Sequence, residues 1–187
     1  MDDKGEEKMG KAANSSISLK QIHVTDNFWN KYVHLVKDVI IPYQWDILND
    51  KLEDVETSHC IENFKIAAGE KEGEFQGAVF QDTDVAKWLE AVGFVLNYER
   101  DEKLEELADE TIELIGRAQQ PDGYLNTYFT IKEPDGRWSN LMEGHELYTA
   151  GHMIEAAVAY YEATGKRRFL EIVSKFADLV CQTFGPE

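Results

Sequence analysis

Residues Gln119 to His152 read QQPDGYLNTYFTIKEPDGRWSNLMEGHELYTAGH. The segment leaves one apolar-periodic helix, crosses a connection of about 25 residues and enters another helix carrying two histidines. Connections of that length inside a compact domain are uncommon and tend to carry function. Pro-Asp-Gly occurs twice, at Pro121-Asp122-Gly123 and Pro134-Asp135-Gly136. Pro presets φ for a turn, Asp bonds its own backbone and Gly supplies positive φ. The spacing around these turns predicts a short β-ribbon, Tyr124–Ile131 against Arg137–Leu141. Its aromatic residues beside Asp, Asn and His suit a carbohydrate cleft, where rings cover C–H faces and polar groups take hydroxyls. The same residues equally suit a ribbon capping the end of a helical core.

Downstream, the pattern predicts helices over His145–Thr164 and Lys166–Phe184, separated by a Gly165 stop. On the first, Leu147, Ile154, Val158 and Tyr161 share one side, and His145, Thr149, His152, Ala156 and Ala159 the other. Neither side carries the Lys and Glu of a solvent face, so the helix reads as buried on both. His145, in the first turn beside the connection, is within reach of a ligand, whereas His152 reads as a satisfied core histidine. His145-Glu146 does not open a zinc-protease helix, because the required second histidine position holds Thr149.

Upstream, Asp101 or Glu102 starts a helix with Leu104, Leu107, Ala108, Ile112, Ile115 and Ala118 inward. Asp82-Thr83-Asp84 starts another, with Val85, Trp88, Leu89, Val92, Val95 and Leu96 as its core face. The two aspartates fit acid/base chemistry by spacing, and helix capping accounts for them more simply. Lys51–Gln81 reads as an irregular crossing with a short strand near Asn63–Ile66. A helix from Thr25 or Asp26 to about Asn49 is interrupted at Pro42. There Gln44, between Tyr43 and Trp45, either points into a cleft or satisfies a freed carbonyl. Ile17–Val24 reads as a short strand. About five helices joined alternately by tight and long connections indicate an all-α protein of antiparallel helix pairs, a bundle or an α/α toroid.

Among 187 residues, Asp plus Glu number 36 and Lys plus Arg 19, for a net charge of −17. This balance argues against nucleic acid and anionic membranes as partners. Cys60 and Cys181 lack metal or redox spacing and read as free buried thiols. With neither an apolar span nor a signal sequence in view, a cytoplasmic location is expected. Residues 1–19, opening with the Lys/Glu/Gly/Ser-rich stretch Met1–Ser16, are expected to form a disordered extension.

Several separated motifs carry a family resemblance: Gln119–Asn126, Gly144–Tyr148 with Ala150-Gly151-His152, Ile41–Trp45, Asn63–Gly69 and Asp84–Ala91. Together they make residues 20–187 resemble the N-terminal part of the family 127 glycoside hydrolases, the β-L-arabinofuranosidase type. The resemblance implies a partial (α/α)6 barrel with the short β-ribbon, in a glycosidase that removes terminal β-L-arabinofuranose from glycans or glycoconjugates. It also implies a cysteine nucleophile on zinc and a glutamate acid, none of which this chain matches. No catalytic residue and no metal ligand is therefore expected here, and the chain reads as an N-terminal fragment or truncated product. Carried over by position, His145 and Gln44, with Asp122 as a third, are the candidates for sugar hydroxyl contacts. The alternative is a non-catalytic helical domain binding sugar or protein, with self-association through open inner-helix faces.

Overall fold

The structure, a computed structural model, describes residues 17–185, and the disorder expected over Met1–Ser16 lies outside them. Five long helical runs build it. The first is composite, with α1 (Trp29–Leu35), a π-helical turn (Val36–Ile40) and α2 (Ile41–Leu48). The Asp26 carboxylate caps its start, accepting from the Phe28 and Trp29 N–H groups at 3.0 and 2.8 Å. Pro42 has no N–H to return to the preceding turn. The π turn lies immediately upstream, and there Ile41 N–H reaches five residues back to Val36 O, so the helix shifts register and continues.

Then follow α3 (Cys60–Ala67), α4 (Asp82–Tyr98), α5 (Glu102–Ala118), the short α6 (Thr127–Ile131) and α7 (Leu141–Gly144), α8 (Glu146–Thr164) and α9 (Arg168–Phe184). Asp101 caps α5 through the Lys103 and Leu104 N–H groups. Gly165 ends α8 at φ +75°, a left-handed conformation that glycine adopts without penalty,.

Neighbouring contacts reveal direction. Along α4 and α8, Lys87 lies over Tyr148 and Gly93 lies against Ala159, so these helices run parallel. Along α5 and α9, Glu113 pairs with Arg168, and the Gln119 side chain donates to Ile172 O, again a parallel register. Three-residue turns reverse the chain between α4 and α5 and between α8 and α9. The composite first helix runs against α4, with Lys37 on Glu99 and the Trp88 indole N–H donating to Ile41 O. Alternating directions, with like-directed helices as next neighbours, make part of an (α/α)6 toroid. The core is continuous, running from Phe64 through Leu89, Val92 and Ile112 to Met153, Phe169 and Phe176.

Four local expectations are corrected. No strand occurs among the described residues, and the expected β-ribbon is instead α6, a 3-10 turn (Pro134–Gly136) and α7. Asn126 and Asn140 are helix N-caps, their side chains accepting from the Phe129 and Glu143 N–H groups,. Asn63–Ile66 is helical, within α3. Cys60, Ile61 and Phe64 are buried on one face of that helix, and the Asn63 side chain is tied to the Gln76 backbone. Ile17–Val24 holds only a 3-10 turn, Leu19–Gln21. On α8 the Thr149, Ala156 and Ala159 side is buried as expected, but Leu147, Ile154, Val158 and Tyr161 are exposed.

Asp82 differs in role. It sits in the first turn of α4, yet its side chain crosses to α6 and is fully buried. The Thr127 N–H donates to it at 2.7 Å and the Thr127 hydroxyl at 2.5 Å. Burial pushes the Asp82 carboxyl up to about 6, against these hydrogen bonds, which pull it down. A folded-state value above the unfolded one stabilises the fold fully below about pH 4, and this contribution is lost as pH rises through about 6. At about 1.36 kcal/mol per pH unit the change is roughly 2–3 kcal/mol. Asp82→Asn is expected to remove this contribution from the pH profile of urea-unfolding stability. Mutant and parent profiles running parallel from pH 4 to 7 would contradict it.

Candidate functional site

The N-terminal ends of α4 and α8 lie at the same end of the structure, and the polar groups gather there. His145 joins α7 to α8 at φ +53°, and Trp138 in the same connection sits at φ +62°. Left-handed backbone is costly for such residues and persists where surrounding contacts enforce it. The enforcing group is Glu146. Its buried carboxylate accepts the Tyr124 hydroxyl and, at 2.8 Å, the Trp138 N–H. Burial raises the Glu146 carboxyl, while the Tyr124 and Trp138 bonds and the Arg137 charge pull it down. Burial and this carboxylate push the Tyr124 phenol far up.

His145 is half-buried, its Nδ1 lying 2.8 Å from Glu143 O. A carbonyl only accepts, so Nδ1 carries a proton here, and Nε2 is the nitrogen turned away from the chain,. The ring packs between Phe80, at a 5.2 Å centroid distance, and Tyr148, at 5.8 Å. The Lys87 ammonium sits 5.3 Å from the Tyr148 ring centroid and donates to the Thr83 hydroxyl.

Lys87 also lines a cavity of about 340 Å³ with Gln44, Ser58, Asp84 and Trp88. Asp84 accepts from the Gln81 amide at 2.8 Å. Burial pushes its carboxyl above the usual aspartate value, partly offset by Lys87. The same Gln81 amide donates to Ser58 Oγ, and the Ala78 N–H holds its oxygen. The rest of the lining is apolar, including Ile40, Ile41, Ile47 and Leu48, so an ammonium, a carboxyl with raised proton affinity and a primary amide set in an apolar wall can bind hydroxyls of a small ligand whose C–H faces meet the rest. A larger groove of about 460 Å³, lined by Val24, Trp29, Tyr32, Phe94 and Tyr98, is apolar apart from Lys37.

Of the three residues picked out by sequence, Gln44 lines the Asp84–Lys87 cavity and His145 lies on the aromatic cluster beside it, joined through Tyr148 and Lys87. Asp122 is elsewhere. It accepts the Tyr124 N–H at 3.0 Å and the Arg137 guanidinium at 3.1 Å, and the adjacent Gly123 abuts Lys175 of α9. Phe80, Lys87, Tyr148 and Glu146 were not identified as site residues by sequence reasoning, and Asp84 was weighed for acid/base chemistry but read as a helix cap. Nothing local marks Glu146, for example, which looks like an ordinary acidic residue in a first turn. Nor is His152 a satisfied core histidine, because it is half-buried and its Nδ1 has no hydrogen-bond partner.

The cysteines do not fit a thiolate zinc site. The buried Cys60 donates its thiol to Gln81 O and burial pushes that thiol well up, whereas Cys181, expected to be buried, is exposed on α9.

Like-directed helix pairs as next neighbours define the chain as part of an α/α toroid. Residues 21–187 match the β-L-arabinofuranosidase, GH127 catalytic domain model, and the chain belongs to that glycoside hydrolase family. It is 42% identical over 182 residues to a non-reducing end β-L-arabinofuranosidase of Bifidobacterium longum subsp. longum, covering 89% of this chain and 28% of that protein. Among solved structures, a GH127 β-L-arabinofuranosidase from Geobacillus stearothermophilus T6 superposes with a TM-score of 0.87 at 63% identity, covering 88% of this chain and 26% of that one. A second GH127 β-arabinofuranosidase gives 0.80 at 36% identity, covering 89% and 26%. The chain thus spans little more than a quarter of these relatives.

Proposed function

We propose that this chain supplies part of the sugar-binding wall of a glycoside hydrolase that removes terminal β-L-arabinofuranose from glycans or glycoconjugates. The observation that carries this reading is the pairing of the Gln44–Asp84–Lys87 cavity with the His145–Tyr148–Phe80 cluster. Rings meet the C–H faces of a sugar there, and Nε2 of His145 accepts from a hydroxyl. Asp122 enters the reading only through its match to the family motif. The exposed side of α8 and the apolar groove by Trp29 and Phe94 suit further helices of the same toroid. A second copy of the chain on these faces is the competing occupant. Zinc, which the family implies for the complete enzyme, would draw its thiolate ligands from outside this chain. The free Cys60 and Cys181 support a reducing, cytoplasmic compartment,. No helix among the described residues is long and apolar enough to cross a membrane. The non-catalytic alternative has no specific feature in its favour.

Hydrolysis needs a nucleophile and a general acid flanking one anomeric centre. Asp82 and Glu146 are committed to Thr127, Tyr124 and Trp138, so the chain alone is expected not to hydrolyse arabinofuranosides. Release of p-nitrophenol from its arabinofuranoside by the purified chain, abolished by a carboxylate substitution, would contradict this. In the complete enzyme, His145→Ala is expected to reduce turnover while leaving Tm nearly unchanged, one hydroxyl contact being worth about 1 kcal/mol. A stability loss of about 1–3 kcal/mol with activity merely following it would instead make His145 structural.

A further inference from the structure

Between α4 and α8, Glu90, His152 and Glu155 bring one ligand atom each within 4.8 Å of one another. The donors are an imidazole and two carboxylates. His152 and Glu155 stand three residues apart on α8, a spacing that puts both on one face, and Glu90 faces them from the parallel helix. His152 Nδ1 lies 3.5 Å from Glu155 Oε2. Two donors each about 2.0–2.1 Å from a tetrahedral Zn²⁺ stand about 3.4 Å apart, so this pair is already at coordination spacing. Nδ1 is shielded from solvent and, beyond this ion-pair contact with Glu155, makes no hydrogen bond, although a shielded ring nitrogen normally finds one,. The Tyr148 ring packs edge-on against His152 at 4.6 Å and holds the imidazole in place. Two carboxylates this close repel each other, and a bound dication reverses that term.

We infer that Glu90, His152 and Glu155 form a binding site for a first-row transition dication, with Zn²⁺ the best-suited ion. Imidazole nitrogen favours Zn²⁺ over Mg²⁺ and Ca²⁺, and three protein ligands leave a fourth position for water. The site uses no thiolate and does not depend on the arabinofuranoside reading.

The test titrates metal-free 187-residue chain with ZnCl₂ by calorimetry and follows Tm on the same samples. Expected are saturable binding of one Zn²⁺ per chain, a rise in Tm, and no displacement by equimolar Mg²⁺. Glu90→Gln, His152→Gln and the exposed Glu155→Gln should each weaken binding by at least about tenfold, the cost of losing even an outer-shell partner. Glu155→Gln keeps the test decisive should His152→Gln fail to fold. Two controls, His34→Ala beside Asp38 and Cys181→Ser, should leave binding unchanged. No saturable binding, displacement by Mg²⁺, or binding that survives Glu155→Gln while disappearing in a control would overturn the assignment.

Discussion

Gly93→Val is expected to destabilise the protein by about 3 kcal/mol or more, at the upper end of what overpacking costs. Gly93 faces the backbone of α8. A Cβ there would lie 2.8 Å from the Ala159 carbonyl carbon and 2.9 Å from Tyr160 N. No side chain can rotate away to make room, so the helices must separate. Alanine would gain about 1 kcal/mol in helix propensity. It meets the same backbone, however, and Gly93→Ala should still lose stability. Gly151, where an added Cβ meets nothing within 4 Å, is the control: Gly151→Ala should be neutral or stabilising. Urea unfolding of the three variants decides it. A Gly93→Val protein within about 1 kcal/mol of the parent would mean that α4 and α8 are less closely apposed.

Glu146→Leu should cost a comparable amount, about 3 kcal/mol or more. Leucine fills the volume but strands the buried Tyr124 hydroxyl and the Trp138 N–H, and an orphaned buried donor costs about 1–3 kcal/mol. Glu146→Gln keeps one acceptor oxygen and should lose less. The two variants also differ in where they act. Trp138 and His145 hold left-handed backbone at the two ends of the segment Glu146 pins, so backbone amides over 134–144 should exchange faster in Glu146→Leu. Uniformly faster exchange across α5 and α9 would instead indicate general core damage.

These sites lie where local reading stops. The 3.6-residue periodicity of Val85–Leu96, Leu104–Ala118 and Phe169–Phe176 declares three amphipathic helices, because each buries one continuous apolar face,. Asp101 marks the start of α5 and Gly165 the end of α8 through cap chemistry confined to a few neighbouring residues,. The alternation of tight and long connections then points to side-by-side helix pairs. In the long connections that logic weakens. Isolated helices as short as Thr127–Ile131 are not stable by themselves. This one is held by the Asp82 carboxylate 45 residues away, and an Asp at a helix start reads locally as a cap. The alternating aromatics of Tyr124–Trp138 therefore resembled a ribbon, though the caps Asn126 and Asn140 were there to be read.

The candidate site divides in the same way. Gln44 and His145 stand at backbone irregularities visible in sequence, a proline break and a helix entry. Asp84, Lys87 and Tyr148 sit on ordinary helical positions and Phe80 in the turn before α4, and the parallel packing of α4 on α8 sets Lys87 of the cavity wall over Tyr148. The apolar sides of α8 mark the same limit. Periodicity reports that both sides are water-averse, whereas burial is a property of what packs against them. Sequence alone therefore determined the long helices, their order and the family, because caps and periodicity act within a few residues. Tertiary structure decided the roles of Asp82, Glu146 and His152, because hydrogen bonds and burial at those positions come from residues distant in the chain.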